Sequence, residues 1–135
     1  MPDQVQSQRT VYDEHYPQMA AAVRDQLKHP LLSSFYDRLA GLILDALPAA
    51  GTEGPRRLLE AGCGEGLLAS AFRRVAGLRD IDLAYTGTDL STAGIELARS
   101  GVEETFVAGD AVEILAGTEA GSQDLVAAKN LLHHI

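Results

Sequence analysis

The sequence predicts an α/β fold built on a parallel sheet. Two observations lead there. From residue 56 onward, short apolar runs alternate with segments whose apolar residues recur at helical spacing. Between the first run and the first such segment stands a cluster of glycines, the junction of a buried strand that turns straight into a helix.

The first 50 residues read as helical. Thr10 and Asp13 form a weak capping box, and Pro17 suits the first turn of a helix running toward Lys28, closed by His29-Pro30. Ser34 and Asp37 repeat the capping-box spacing for a second helix, with Phe35, Leu39, Leu42, Ile43, Ala46 and Leu47 as its apolar stripe. Pro48 and the small residues up to Pro55 mark a linker. Residues 1–50 are therefore expected to form a helical extension or lid, and residues 51–135 the core. In that core, residues 57–61 predict a first strand. A helix follows over Leu67 to Ala76, with Gly77 as its stop. Leu83 to Thr88 predicts a second strand ending at Asp89, and Ser91 caps a helix from Thr92 to Arg99, closed by Gly101. Thr105 to Ala108, a short helical piece around Val112 to Leu115, and Asp124 to Ala128 complete the series.

Composition narrows the partners. A chain of 135 residues suits one compact domain, and 46% apolar content is ordinary for a globular protein. The formal net charge of −8, with Arg56-Arg57 and Arg73-Arg74 as isolated basic pairs, disfavours a phosphate backbone as ligand. No apolar run nears the roughly 18 residues of a membrane span, and MPDQVQSQRT lacks a secretory core; both point to the cytoplasm. The lone Cys63 excludes an intramolecular disulfide.

The chemistry concentrates in Leu58-Leu59-Glu60-Ala61-Gly62-Cys63-Gly64-Glu65-Gly66. Glycine is needed where a tight turn demands positive φ or where a side chain would collide with a ligand. A dinucleotide site spaces its glycines G-x-G-x-x-G, but position 67 is Leu67. Glu60, two residues before the first glycine, would repel a pyrophosphate. It suits a ligand that carries an ammonium group and a sulfonium charge, so S-adenosylmethionine is favoured over NAD.

This pattern resembles the Rossmann-like (class I) S-adenosylmethionine-dependent methyltransferases, whose first motif is matched by Glu60, Gly62, Gly64 and Gly66, with Ala61 and Cys63 between them. The resemblance covers about residues 56 to 135. It implies a Rossmann-like sheet in the order 3-2-1-4 and an enzyme that converts S-adenosylmethionine to S-adenosylhomocysteine while methylating a small-molecule acceptor, in a biosynthetic pathway. It also implies roles. Asp89 would take both ribose hydroxyls, Leu90 would lie against the adenine, and Gly109-Asp110-Ala111 would meet the adenine edge. Asn130 would end the fourth strand beside the methionine moiety, and Tyr12 or Tyr16 would form a lid. Tyr36 reads as core.

Each acid has a plainer alternative as a helix cap: Glu60 for the first core helix, Asp89 for the Ser91 helix, Asp110 for the next. Cys63 reads as a small buried residue, because no partner base is identifiable. His133 and His134 are weak candidates for a general base, and their adjacency does not suit a shared metal. The family's sheet has seven strands and this chain supplies four, so the expectation is a core truncated after strand four. Strand four would then be an open edge that pairs with a second copy or a completing chain. Other classes stay open: an S-adenosylmethionine-binding module without methyl transfer (cyclase-like, regulatory or an inactive partner subunit), or an NAD-dependent oxidoreductase.

Overall fold

The structure is a computed structural model of the chain, and it describes residues 5–15, 30–48 and 54–129. The elements, in chain order, are α1 (5–15), α2 (Pro30–Leu44), β1 (Arg56–Ala61), α3 (Leu67–Leu78) and β2 (Leu83–Asp89), followed by α4 (Thr92–Gly101), β3 (Thr105–Ala108), α5 (Ala111–Gly117) and β4 (Leu125–Ala128). The expected helix from Pro17 to Lys28 and most of the expected linker lie outside the described residues.

All strand pairs are parallel and the sheet order is β3-β2-β1-β4, as the resemblance implied. The chain steps outward from β1 through β2 to β3, then crosses back to the far side of β1. That reversal makes the gap between β1 and β4 a topological switch point, where open α/β sheets form a crevice at their carboxyl ends. Asp124 fixes the return. Its amide donates to the Arg57 carbonyl at 2.9 Å, while its carboxylate accepts from the Arg57 amide at 2.8 Å.

One face of the sheet carries the core. Leu58 pairs with Tyr85 in register, and these residues with Leu83 and Phe106 meet Leu68, Ala71, Phe72, Val75 and Ala76 of α3 and Ile95 and Ala98 of α4. Phe72 is fully buried. On the other face Leu59, Ala61 and Thr88 are buried, yet Val107 and Val126 are 42% and 48% exposed. Helix α5 has no buried residue. No helix among the described residues is long and apolar enough to cross a membrane.

Several boundaries differ from the sequence reading. Thr10 and Asp13 do not start a helix; both lie inside α1, where the Thr10 hydroxyl donates to the Gln6 carbonyl. Pro30 begins α2, four residues before the expected start at Ser34, because proline's missing N–H costs nothing in a first turn. Ser34 is consequently interior, and Asp37 turns outward to accept two hydrogen bonds from Arg74, at 2.7 and 3.0 Å. The buried stripe of α2 is rotated from the expected one. Ala40 and Leu44 are buried, with Tyr36, Leu39, Ile43 and Leu47 packed beside them, while Phe35 and Leu42 are exposed and Ala46 faces solvent.

The buried face of α2 includes Ala40 and Gly41, and the Arg79 guanidinium reaches from the end of α3 across to the Gly41 carbonyl and to Asp45. Gly77 does not stop α3 either. The helix runs to Leu78 and closes with Asp80 at φ 53°, the Asp80 amide bonding to Gly77 and the Ile81 amide to Ala76. This is a Schellman closure with aspartate in the left-handed position, which Asp tolerates better than most residues.

Truncating Phe72 to Ala should cost about 3–5 kcal/mol, the range for a fully buried aromatic. Urea denaturation followed by circular dichroism measures this, and a loss under about 1 kcal/mol would contradict the core assignment.

Candidate active site at the carboxyl ends of the strands

Glycines 62, 64 and 66 have φ of 78°, 56° and 86°, so every second residue of the turn is left-handed. An L-residue there would be strained by about 1 kcal/mol or more. Four of the turn's amides are already engaged. Those of Gly62 and Cys63 donate to the Thr88 carbonyl at 2.8 and 2.9 Å, and that of Gly66 to the Cys63 carbonyl at 3.1 Å. The Gly64 amide donates to Oδ2 of Asp89 at 2.9 Å. Alternating backbone of this kind forms a concavity suited to an anion. Here the protein fills it with its own carboxylate. Gly66 also has a packing reason to be glycine, because a Cβ would stand 3.1 Å from that of Ala98 on α4.

Asp89 therefore joins two turns. Its Oδ1 accepts from the Ser91 amide at 2.9 Å, while Oδ2 holds Gly64. The side chain is 9% exposed, and burial, despite these two amides, raises its pKa above the usual carboxylate range. The capping alternative is half realised. Asp89 braces the entry to α4, but the cap itself is Ser91, whose hydroxyl accepts from the Gly94 amide at 3.1 Å.

Glu60 is 2% exposed and caps no helix. Its Oε1 accepts from the Tyr85 hydroxyl at 2.6 Å. Parallel register sets Glu60 beside Gly87, and a Cβ on Gly87 would come within 2.7 Å of the Tyr85 oxygen and 2.8 Å of the Phe106 ring. Glycine at 87 is thus what gives the tyrosine room to lie across to Glu60. Burial pushes the Glu60 carboxyl up to about 7, opposed by the Tyr85 hydrogen bond and by Lys129 and assisted by Asp89. Lys129 lies 5.6 Å from the Tyr36 ring centre, so α2 and the end of β4 both face this acid. Tyr36 is half-buried against the core, as expected, and its hydroxyl is raised by burial and by Glu65 and Glu60.

Cys63 is buried, and burial together with Glu60 and Asp89 pushes its thiol far above the ordinary range. A thiol so disfavoured as thiolate is no nucleophile. At the end of β3 the Gly109 amide donates to the Asp89 carbonyl at 2.8 Å, and a Cβ there would meet Ile114 at 3.0 Å. Asp110 caps α5, its Oδ1 accepting from the Val112 amide at 2.9 Å, which is the plainer of its two readings. Ala111 opens that helix and Leu90 is half-buried. Ala61, Gly62 and Gly64 at β1, Asp89 and Leu90 at β2, and Gly109, Asp110 and Ala111 at β3 thus stand on three neighbouring strand ends.

Tyr12 lies close enough to Asp89 that this carboxylate, after burial, helps raise its hydroxyl pKa. Tyr16, Asn130, His133 and His134 lie outside the described residues. Three participants escaped the sequence reading: Tyr85, Gly87 and Asp13. For Tyr85 and Gly87 a signal existed, since period-two alternation puts Tyr85, Gly87 and Glu60 on one face once β1 and β2 are paired. Asp13 had none. Its Oδ1 accepts from the Ser91 hydroxyl at 2.7 Å and the Ala93 amide at 3.1 Å, from a position 78 residues away in the chain. Among the described residues no group of three His, Cys, Asp or Glu side chains is placed to hold a metal.

A parallel sheet in the order β3-β2-β1-β4, with a left-handed glycine turn after its first strand, is a Rossmann-like arrangement. The particular family is a methyltransferase family. Residues 59–135, more than half the chain, match the methyltransferase domain family, and the chain belongs to it, among the class I S-adenosylmethionine-dependent methyltransferases. It is 36% identical over 108 residues to a ubiquinone biosynthesis O-methyltransferase of Methylocella silvestris, covering 77% of this chain and 39% of that protein. Against the protein of that name from Bordetella avium, identity is 35% over 91 residues, or 64% of this chain and 35% of the relative. The chain thus spans little more than a third of these curated relatives.

Two solved structures share the fold. One is a phosphoethanolamine N-methyltransferase 2 of Haemonchus contortus, in complex with phosphomonomethylethanolamine and S-adenosylhomocysteine. It has TM-score 0.54 and 27% identity, over 73% of this chain and 22% of that one. The other is the plantazolicin methyltransferase BamL, with TM-score 0.53 and 19% identity, over 93% of this chain and 44% of that one.

The raised Glu60 has a consequence for stability. The unfolded chain gives up this proton near pH 4.5, the folded chain only near pH 7, so the folded form holds more protons between those values. Stability is full below pH 4.5 on this account and falls as pH rises through 7, by about 3 kcal/mol in all. Asp89 adds to the same trend. Glu60→Gln keeps an acceptor for Tyr85, so its urea-denaturation midpoint should vary less between pH 5 and pH 8 than that of the wild type. Equal slopes in the two proteins would refute the assignment.

Proposed function

We propose that this chain is the cofactor-binding half of an S-adenosylmethionine-dependent methyltransferase acting on a small-molecule acceptor in a biosynthetic pathway, with residues 51–135 as the cofactor core and residues 1–50 as a lid. The observation that carries the reading is the satisfied glycine turn. The amides of Gly62, Cys63, Gly64 and Gly66 are spent within the protein, and the Asp89 carboxylate held by Gly64 would repel a pyrophosphate. What the turn offers is a surface without side chains, backed by two buried carboxyls. A nucleoside that carries ammonium and sulfonium groups complements it, and a dinucleotide does not.

Asp89 suits the ribose. Each carboxylate oxygen accepts one backbone amide, and each has a second lone pair for one hydroxyl of a vicinal diol. Neighbouring strands are about 4.8 Å apart, so β1 and β3 end about 10 Å from one another, a span for an extended nucleoside. The adenine would then lie by Leu90, with Asp110 and the Ala111 amide at its edge. The methionine half would lie over Gly62 to Gly66 beside Glu60, with Tyr12 above; Asn130 and Tyr16, the other expected contacts, lie outside the described residues. When bound, the cofactor supplies an activated methyl group on sulfur. This chain's part is to hold it in line and exclude water. The names of the relatives, O-methyltransferases of ubiquinone biosynthesis, support a small acceptor. The acidity of the chain argues against nucleic acid.

Titration with S-adenosylhomocysteine tests the cofactor assignment. Asp89→Asn keeps the side-chain shape but removes its charge, and should weaken binding by about 1–3 kcal/mol while NADH gives no signal with either protein. Unchanged affinity in a folded variant would remove Asp89 from the ribose.

The open edge of β4 and the exposed Val126 support self-association or pairing with a completing chain. Sedimentation should show a dimer whose population rises with concentration, and a strict monomer would count against it.

A further inference from the structure

Helix α1 is attached to the core in an unusual way. Its inward face, marked by the half-buried Val5, Gln8, Arg9, Tyr12 and Asp13, is mostly polar, and none of its described residues is fully buried. Val11 is 61% exposed. Apolar packing therefore does little to hold it. Polar contacts hold it, among them those of Asp13, whose Oδ1 accepts from both the Ser91 hydroxyl and the Ala93 amide at the first turn of α4. Charge-assisted bonds of this kind are roughly twice as strong as neutral ones, and a carboxylate at a helix amino terminus meets the favourable end of the helix dipole. Against the burial that would raise it, these bonds and the nearby Arg9 keep the Asp13 carboxyl below its ordinary pKa.

Ser91 is the shared element. Its hydroxyl donates to Asp13, and its amide donates to Asp89. One residue thus ties the leader helix to the carboxylate assigned to the ribose, and Tyr12, next to Asp13, is carried to the vicinity of Asp89.

We propose that Asp13 is a positioning residue, a latch that closes α1 over the nucleoside end of the site by binding the amino terminus of α4 through Ser91 and Ala93. This rests on the cofactor reading of Asp89. A bound nucleoside is released only when the latch opens, so Asp13 controls the dissociation rate. Entry passes through the same open form, so loss of the latch quickens association as well as dissociation.

The test uses the full chain with S-adenosylhomocysteine and S-adenosylmethionine as probes, and the variants Asp13→Ala and Asp13→Asn. Amide hydrogen exchange of residues 5–15 should quicken about tenfold in Asp13→Ala and less in Asp13→Asn, whose amide oxygen still accepts. Exchange in β1 and β2 should not change. S-adenosylhomocysteine should dissociate several-fold faster from Asp13→Ala, and associate faster as well. The factor should be the same for both probes, whereas a purely electrostatic role would penalise only the sulfonium.

Unchanged exchange in residues 5–15 overturns the latch, whether or not a probe binds. Unchanged dissociation in Asp13→Ala, alongside weakened binding in Asp89→Asn, overturns it and leaves the ribose assignment standing. A loss confined to S-adenosylmethionine also overturns it. Quickened exchange in a chain whose wild type binds neither probe would sink the cofactor reading and, with it, the latch's role in release.

Discussion

Two strand-to-helix turns meet at Asp89, and its carboxylate takes one backbone amide from each, Gly64 on the β1–α3 turn and Ser91 on the β2–α4 turn. Neither turn can move without breaking a charge-assisted bond in a poorly solvated place, where such a loss is costly. The left-handed glycines exist to make this possible, since they bend the backbone until Gly64 points its amide at the neighbouring strand. The neighbouring β3 turn is tied in as well, because the Gly109 amide donates to the Asp89 carbonyl. A site laid over three strand ends is thereby preorganised by one residue.

The second buried acid is arranged differently. Glu60 meets a hydroxyl and not a backbone amide, and it sits where water is scarce, so it holds its proton to about pH 7. The space that Tyr85 needs comes from a glycine on its own strand, and the Tyr85 ring packs in turn between Phe72 and Phe106. Core packing and site electrostatics are here the same set of atoms. A change in the packing of α3 would reach Glu60 through one aromatic ring.

Outside this centre the fold is less complete. The sheet face with Val107 and Val126 and the helix α5 expose apolar side chains that a parallel sheet ordinarily covers on both sides. The curated relatives are about twice as long as this chain. The strand ends of β1, β2 and β3 are well defined, and the chain matches little more than a third of those relatives.

Much of this was written in the sequence. Positive φ is expensive for every residue but glycine, so Gly62, Gly64 and Gly66 announced the turn, and the acids that end the apolar runs announced the strand ends. The cap at Ser91 was legible for the same local reason. The phase of α2 was not, because Phe35 and Leu42 are as apolar as Leu44, and only the docking of α2 on the core decides which stripe is buried. Nor was the end of α3, where Asp80 accepts a conformation for which Gly77 looked the better candidate. The partnerships of Glu60 with Tyr85 and of Asp13 with Ser91 join residues 25 and 78 positions apart. Sequence by itself determined the local conformations, whose cost is paid residue by residue; only the tertiary structure decided which buried charges meet which donors, since that depends on how the strands and helices are brought together.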